Sequence, residues 1–216
     1  MNPVAVNPVA VNPVTVCVTR YNNRTWAERT AWLAANPDYA CIYKSPVSIK
    51  SDIPYEAPLF VLEMNNDTNR IMGIGRIVNE VRADRAYRIY ADQNYNRYTY
   101  LGRQRVDRAH IMQQKEHVPV IETLERMLFY GPRHAKRGQG IHELPARIRN
   151  NRPGYSFTQF CSAVFHSHAL GYLGVDPGNS NPGNSNPGNN LKGTGTRQQQ
   201  PQSKTIINKC NCIISQ

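Results

Sequence analysis

The sequence predicts an α+β fold: a small antiparallel β-sheet or barrel covered by two to four helices, with disordered or extended tails at both ends. Three observations carry this reading. Two runs rich in β-branched and large apolar residues, 59–64 and 71–78, are joined by a stretch of Asn, Asp and Thr, the composition of a hairpin turn. Apolar residues then recur at three- and four-residue spacing over 119–130 and 156–170, the period of helices with one buried face. Both chain ends are repetitive: a periodic Pro rules out a regular helix at the start, and the Pro/Gly/Asn- and Gln-rich stretch near the end cannot bury enough apolar surface to offset the entropy of ordering it.

Along the chain, residues 1–18 are expected to form an arm. Their pentamer, Asn-Pro-Val-Ala-Val twice and then Asn-Pro-Val-Thr-Val, places a Pro at every fifth position, which forbids a regular helix and cannot donate to a central strand. Residues 19–172 form the predicted globular domain, of the commonest domain length. Residues 173–216, with Pro-Gly-Asn-Ser-Asn units and then a Gln-rich stretch, form the predicted tail.

Inside the domain, Thr25 and Glu28 have capping-box spacing and start a helix that runs to about Ala35, before Asn36-Pro37 stops it; Trp26, Arg29 and Leu33 share a face and turn the Trp inward. Cys41-Ile42-Tyr43 is a short strand ending at Lys44-Ser45-Pro46. A second hairpin is expected between 87–90 and 97–106, turning through 92–96. The segment 119–130 has Pro at its first helical position and Gly131 as its stop. Gly73-Ile74-Gly75 interrupts a β run, which calls for a bulge or for another group lying close to the backbone, the bulge being the expected reading.

The formal charge is +11, with 19 Arg and seven Lys among the 26 basic residues. Such an excess favours polyanionic partners, and the guanidinium fork suits phosphate and planar contacts. Five Cys at irregular spacing do not read as the disulfide framework of a small secreted domain, so a reducing compartment is expected. No apolar run approaches the roughly 18 residues of a membrane span, and no basic-then-apolar leader opens the chain, so neither membrane attachment nor secretion is expected.

Two stretches are candidate nucleic-acid contacts. Arg133, His134, Lys136 and Arg137 stand beside Gly138 and Gly140 in a loop whose backbone has room to approach a phosphate; the alternative is a solvated turn of cations near a helix C-terminus. Arg97, Tyr98, Tyr100, Arg103 and Arg105 interleave rings and cations, and in a strand Tyr98 and Tyr100 share a face. An open face there is a stacking platform of the kind single-strand binders use; a closed one makes them core tyrosines. Between 82 and 152 there are 15 basic and seven acidic residues, so both stretches lie where positive charge concentrates. No pair of carboxylates has a spacing that fixes acid–base roles, His166 and His168 point apart on a helix, and no catalytic residue, cofactor or metal is assigned. A nuclease built on Glu63 and Lys136 is conceivable, with nothing in the spacing that requires it.

The residues Cys41-Ile42-Tyr43-Lys44-Ser45-Pro46, then Phe60 to Asn66 with Asn69, Ile71 and Gly73-Ile74-Gly75, then Asn94 to Tyr98, then His134 with Lys136 to Ile141 occur in an order that resembles an uncharacterised protein family of nucleocytoplasmic large DNA viruses, over roughly 24–148. The resemblance implies a viral source, and with it the host cytoplasm or nucleus, or the virion, as location. The Phe-containing strand leading through a turn into Gly-Ile-Gly is also similar to PUA-like small barrels of the EVE and YTH type, which bind RNA or modified bases; a recognisable aromatic cage is absent. The expectation is a nucleic-acid-binding module, for RNA or DNA, with phosphate held by the 133–140 loop and bases by Tyr98 and Tyr100. The alternative is a virion structural or minor capsid protein that contacts capsid or other virion proteins through its arms.

Overall fold

The computed structural model of the protein describes residues 14–173. The expected arm up to residue 13 and the tail from residue 174 lie outside the described residues.

The chain runs β1 (Thr15–Tyr21), α1 (Asn23–Ala34), β2 (Cys41–Ser45), β3 (Pro58–Asn65), β4 (Arg70–Val78), a 3-10 turn (Gln93–Asn96), β5 (Tyr98–Gly102), β6 (Gln104–Asp107), α2 (Arg108–Ile111), α3 (Val118–Phe129), β7 (His142–Glu143), α4 (Ala146–Arg149) and α5 (Phe157–Leu173). Five strands form one sheet in the order β6-β4-β3-β1-β7, and β2 pairs with β5 in a second, two-stranded sheet. The α+β class is therefore as expected, while the antiparallel-only sheet is not: β1 runs parallel to β3, with Val16 opposite Phe60 and Val18 opposite Leu62. A parallel neighbour needs a crossover, and here α1 and β2 supply it. No closed barrel forms among the described residues; the two sheets are separate ladders.

Period-2 alternation assigns each large-sheet side chain to one of two cores. Val16, Val18, Phe60, Leu62 and Ile74 face the helical side, where Ile111, Leu124, Leu128, Ile148 and Phe160 cover them. Cys17, Leu59, Val61 and Ile77 face the small sheet, meeting Cys41, Tyr43 and Tyr100. Because both faces are buried, β3 reads as a continuous apolar run. β1 begins at Thr15, within the stretch assigned to the arm, because the last pentamer leads into a Pro-free run whose Val16, Cys17 and Val18 are all buried. Helix α3 carries Pro in its first turn and is followed, after the capping residue Tyr130, by Gly131 at φ +79°. Helix α1 starts earlier than the Thr25–Glu28 pattern places it, because Asn22 forms the box instead: its Oδ1 accepts from Thr25 N at 2.8 Å and Asn22 N donates to Thr25 Oγ1 at 3.0 Å.

The hairpin of β3 and β4 forms as predicted. The second hairpin does not. Residues 87–90 are not a strand, because the Asn96 side chain accepts from Ile89 N and Tyr90 N and donates to Tyr90 O, fixing this segment as a loop. The run 97–106 divides at Gly102-Arg103 into β5 and β6, which belong to different sheets. A Cβ on Gly102 would overlap Arg76 O and come within 2.6 Å of Cys41 Sγ, so only Gly lets the chain pass there from one sheet to the other.

Gly73 and Gly75 answer to both readings of their motif. The β3–β4 register slips between Leu62 and Met64, a bulge that sets Met72-Gly73 opposite Glu63. Gly75 leaves space for a ring: a Cβ there would coincide with the Tyr43 hydroxyl. Gly75→Ala is therefore expected to destabilise the fold by about 1–3 kcal/mol through overpacking, read as a lowered urea midpoint.

Candidate functional site

Glu63 is the one acidic residue of β3, and it lies on the small-sheet side, fully buried, in phase with Leu59 and Val61. Its Oε1 accepts from Arg29 Nη2 at 2.8 Å and from Tyr43 Oη at 2.9 Å, and its Oε2 accepts from Arg105 Nε at 2.9 Å, with Arg105 Nη2 in ion-pair contact at 2.8 Å. Arg105 also donates to Met72 O at 3.0 Å, a carbonyl of the bulged segment. The indole of Trp26 lies 4.6 Å from the Arg29 guanidinium and meets the Tyr21 ring edge-on at 5.2 Å. Burial lowers the Arg29 pKa and the Glu63 charge raises it, the balance leaving Arg29 above its ordinary value. The site holds two guanidiniums against one carboxylate, all of them hydrogen-bonded. It is structural: Glu63 has no lone pair facing solvent, and this removes it from the nuclease reading.

Beside Glu63 in the β1–β3 register stands Thr19, and from Thr19 onward the end of β1 opens into a cavity of about 280 Å³. Thr19, Arg20 and Tyr21 form one wall and the start of α1 (Asn22, Arg24, Thr25) the next. Lys44 from β2 and Asn66 from beyond β3 face them, with Tyr90, Asp92 and Tyr95 on the third side. The loop Gly138-Gln139-Gly140 completes the rim. A crevice at the carboxyl ends of parallel strands, where a helix begins, is a recurrent ligand position in α/β sheets. The first turn of α1 is already self-capped, Asn23 N donating to Asp67 Oδ2 at 2.8 Å, so side chains rather than helix amides define the chemistry here.

Two of those side chains, the buried Lys44 and the half-buried Arg20, are cations outside any ion pair of the described residues. Arg20 Nε donates to Ala135 O, Nη1 is fully buried without a partner, and burial lowers its pKa. Lys44 is only 6% exposed; its Nζ donates to Asn96 O at 2.6 Å and Thr99 Oγ1 at 2.7 Å, and burial pushes its pKa down to about 8. Arg24 adds an exposed third cation, while the one carboxylate in the lining, Asp92, accepts from Asn94 N at 3.0 Å. Asn66 Nδ2 donates to Lys136 O at 3.1 Å and leaves its Oδ1 buried and unpartnered. Gly138, at φ +116°, lets the loop lie over Arg20, whose Cζ is 3.5 Å from where a Cβ would stand.

The expected contact residues divide accordingly. Gly138 and Gly140 border the cavity. Arg133 and Arg137 are exposed and Lys136 half-buried on the same loop, and His134 Nδ1 accepts from Lys136 N at 3.3 Å. Arg97 is exposed beside a second, shallower cavity that also touches Tyr95. Arg103 borders a different hollow, with Tyr39 and Arg82. The stacking platform does not exist: Tyr100 is buried between the sheets with its hydroxyl accepting from Ile49 N at 3.0 Å, and Tyr98 packs against the same core. Arg105 is committed to Glu63 and unavailable to a nucleic-acid backbone. The sequence reading missed Arg20, Arg24 and Lys44. Arg20 was hidden because no strand was expected ahead of α1, the first residues of β1 having been read as the end of the arm; Lys44 was visible as a cation at a strand end, with no sign that it would be buried.

The class of protein thus defined is an α+β domain with a cationic cavity at the end of a parallel strand pair. Compared with protein-family models, curated proteins and solved structures, the chain matches none. No helix among the described residues is long and apolar enough to cross a membrane, and no cluster of His, Cys, Asp or Glu among them has metal-binding geometry.

Removing the Glu63 charge leaves two buried guanidiniums facing each other. Glu63→Gln is expected to cost about 3–5 kcal/mol, measurable by chemical denaturation.

Proposed function

We propose that the protein is a nucleic-acid-binding module whose phosphate contacts centre on this cavity. The observation that carries the reading is a pair of cations, the half-buried Arg20 and the buried Lys44, lining one cavity without an anionic partner among the described residues. A buried charge left unpaired is costly, and a donor without an acceptor adds to that cost. A bound phosphate relieves both, accepting from Arg20 Nη1 and supplying the counter-charge for Lys44. The rim cations Arg24, Lys136 and Arg137 extend the positive field outward, and the chain's charge of +11 makes a polyanion the favoured class of ligand.

The similarity of the β3–β4 stretch to PUA-like folds, which bind RNA or modified bases, supports the same assignment, and the motif order supports a place beside the large-DNA-virus family. In this proposal base contact shifts from Tyr98 and Tyr100 to Tyr95, which is half-buried in the cavity wall.

Fluorescence anisotropy of the full chain with labelled single- and double-stranded DNA and RNA tests this. Affinity is expected to fall steeply with salt, and Arg24→Ala or Lys44→Met to weaken binding and lower the log–log salt slope by about 0.7 per lost contact on a single strand. Absence of binding at low salt overturns the proposal.

The pH dependence follows from Lys44. Its amine is charged below a pKa of about 8 in the free protein, and only the charged form attracts phosphate. Affinity is therefore expected to be full below pH 8 and to decline as pH rises through it, a decline absent from Lys44→Met.

A further inference from the structure

Building on the phosphate-cavity reading, we infer that this cavity receives the phosphorylated end of a single strand, with Tyr95 and Arg97 engaging the nucleotide next to it. Four features point this way.

The first is size. About 280 Å³ lies at the bottom of the range of small-ligand pockets, roughly 300–1,000 Å³. That is room for a single nucleotide-sized group and not for a duplex.

Charge is the second. Arg20, Arg24 and Lys44 face a single carboxylate, Asp92. The surplus of two positive charges matches a terminal phosphomonoester, which carries about −1.5 to −2 near neutrality. An internal phosphodiester carries only one negative charge and leaves one of the cations uncompensated.

Unfilled hydrogen-bonding capacity is the third. Arg20 Nη1 is a buried donor and Asn66 Oδ1 a buried acceptor, both unpartnered, and both residues line the cavity. A phosphomonoester beside a sugar hydroxyl supplies the complement of each: a phosphate oxygen accepts from Nη1, and the hydroxyl donates to Oδ1.

The last is direction. A second cavity of about 330 Å³ adjoins the first, sharing Asp92, Tyr95 and Gln139 and ending at the exposed Arg97. The deep end carries Arg20 and Lys44 and the shallow end one solvated arginine. A strand entering from the shallow side meets Arg97 with an internal phosphate and passes the Tyr95 ring with a base. It ends with its terminal phosphate against Arg20 and Lys44.

The test is competition binding by the full chain to short single-stranded oligonucleotides of one sequence, carrying a 5′-phosphate, a 3′-phosphate, hydroxyls at both ends, or no ends because the strand is circularised. One phosphorylated form is expected to bind about tenfold or more tightly than the hydroxyl-ended and circular strands, as a charge-assisted contact warrants, and its identity names the end that is read. Arg24→Ala and Lys44→Met are expected to abolish that preference. Lys115→Ala, an exposed change outside both cavities, is expected to retain it. Arg24 is exposed, so its variant reports even if the buried Lys44 change impairs folding. Equal binding of circular and phosphorylated strands, still weakened by Arg24→Ala, overturns the end-reading inference while the phosphate cavity stands. Failure of every strand to bind overturns the proposed function itself.

Discussion

The carboxylate of Glu63 accepts three hydrogen bonds from side chains on three separate elements: Arg29 on α1, Tyr43 on β2 and Arg105 on β6. Helix α1 contributes little apolar surface, its fully buried residue being Arg29 itself, so this ion pair and the Trp26 ring beside it hold the helix to the sheet. The two sheets meet through the same group, because Tyr43 reaches across to it from the small sheet. A buried ion pair is not by itself a source of stability, since desolvation offsets most of the attraction. What it imposes is position: each donor has one place where its bond is satisfied, and any slip of α1 or β2 leaves a buried charge unpaired. The glycines of β4 belong to this arrangement, Gly75 by admitting the Tyr43 hydroxyl and the bulge at Met72-Gly73 by freeing a carbonyl for Arg105.

The cavity is a consequence of this frame. Making β1 parallel to β3 sends α1 away from the sheet at the carboxyl end of β1, and the space between the helix start, the end of β2 and the 134–140 loop is what remains open. Arg20 and Lys44 are placed in it by strands and not by surface loops. Their burial follows from the strands they belong to, and with it the raised value of any anion that reaches them in a low-dielectric setting.

Charge composition and charge placement also part company here. Of the 19 arginines, Arg29 and Arg105 neutralise Glu63, and Arg108 pairs with Glu125, whose carboxylate also caps Ile71 N. These cations are internal struts. A run of basic residues in the sequence therefore does not mark an exposed basic surface. Arg105 and Tyr100 sit in the most basic and aromatic stretch of the chain and both face inward.

Elements whose identity rests on local periodicity were legible. The β3–β4 hairpin, α3 with its Pro start and Gly stop, and α5 with Phe160, Cys161 and Val164 inward all follow from spacing and turn chemistry, which act between residues a few positions apart. Glycines 138 and 140 were legible as loop positions for the same reason, and they border the cavity. The parallel partnership of β1, the separation of 97–106 into two strands on two sheets and the burial of Arg20 and Lys44 were not. Each depends on which distant segment a residue meets: Val16 on Phe60, Gly102 on Arg76, Lys44 on Asn96 and Thr99. The amino-acid sequence by itself determined the class of fold, the three longer helices, one hairpin and the positive net charge, because local sterics and net charge are properties of the chain. Which cations are paired, and which line a cavity outside any ion pair of the described residues, was decided only by the tertiary structure, because desolvation and pairing are properties of neighbours brought together across the chain.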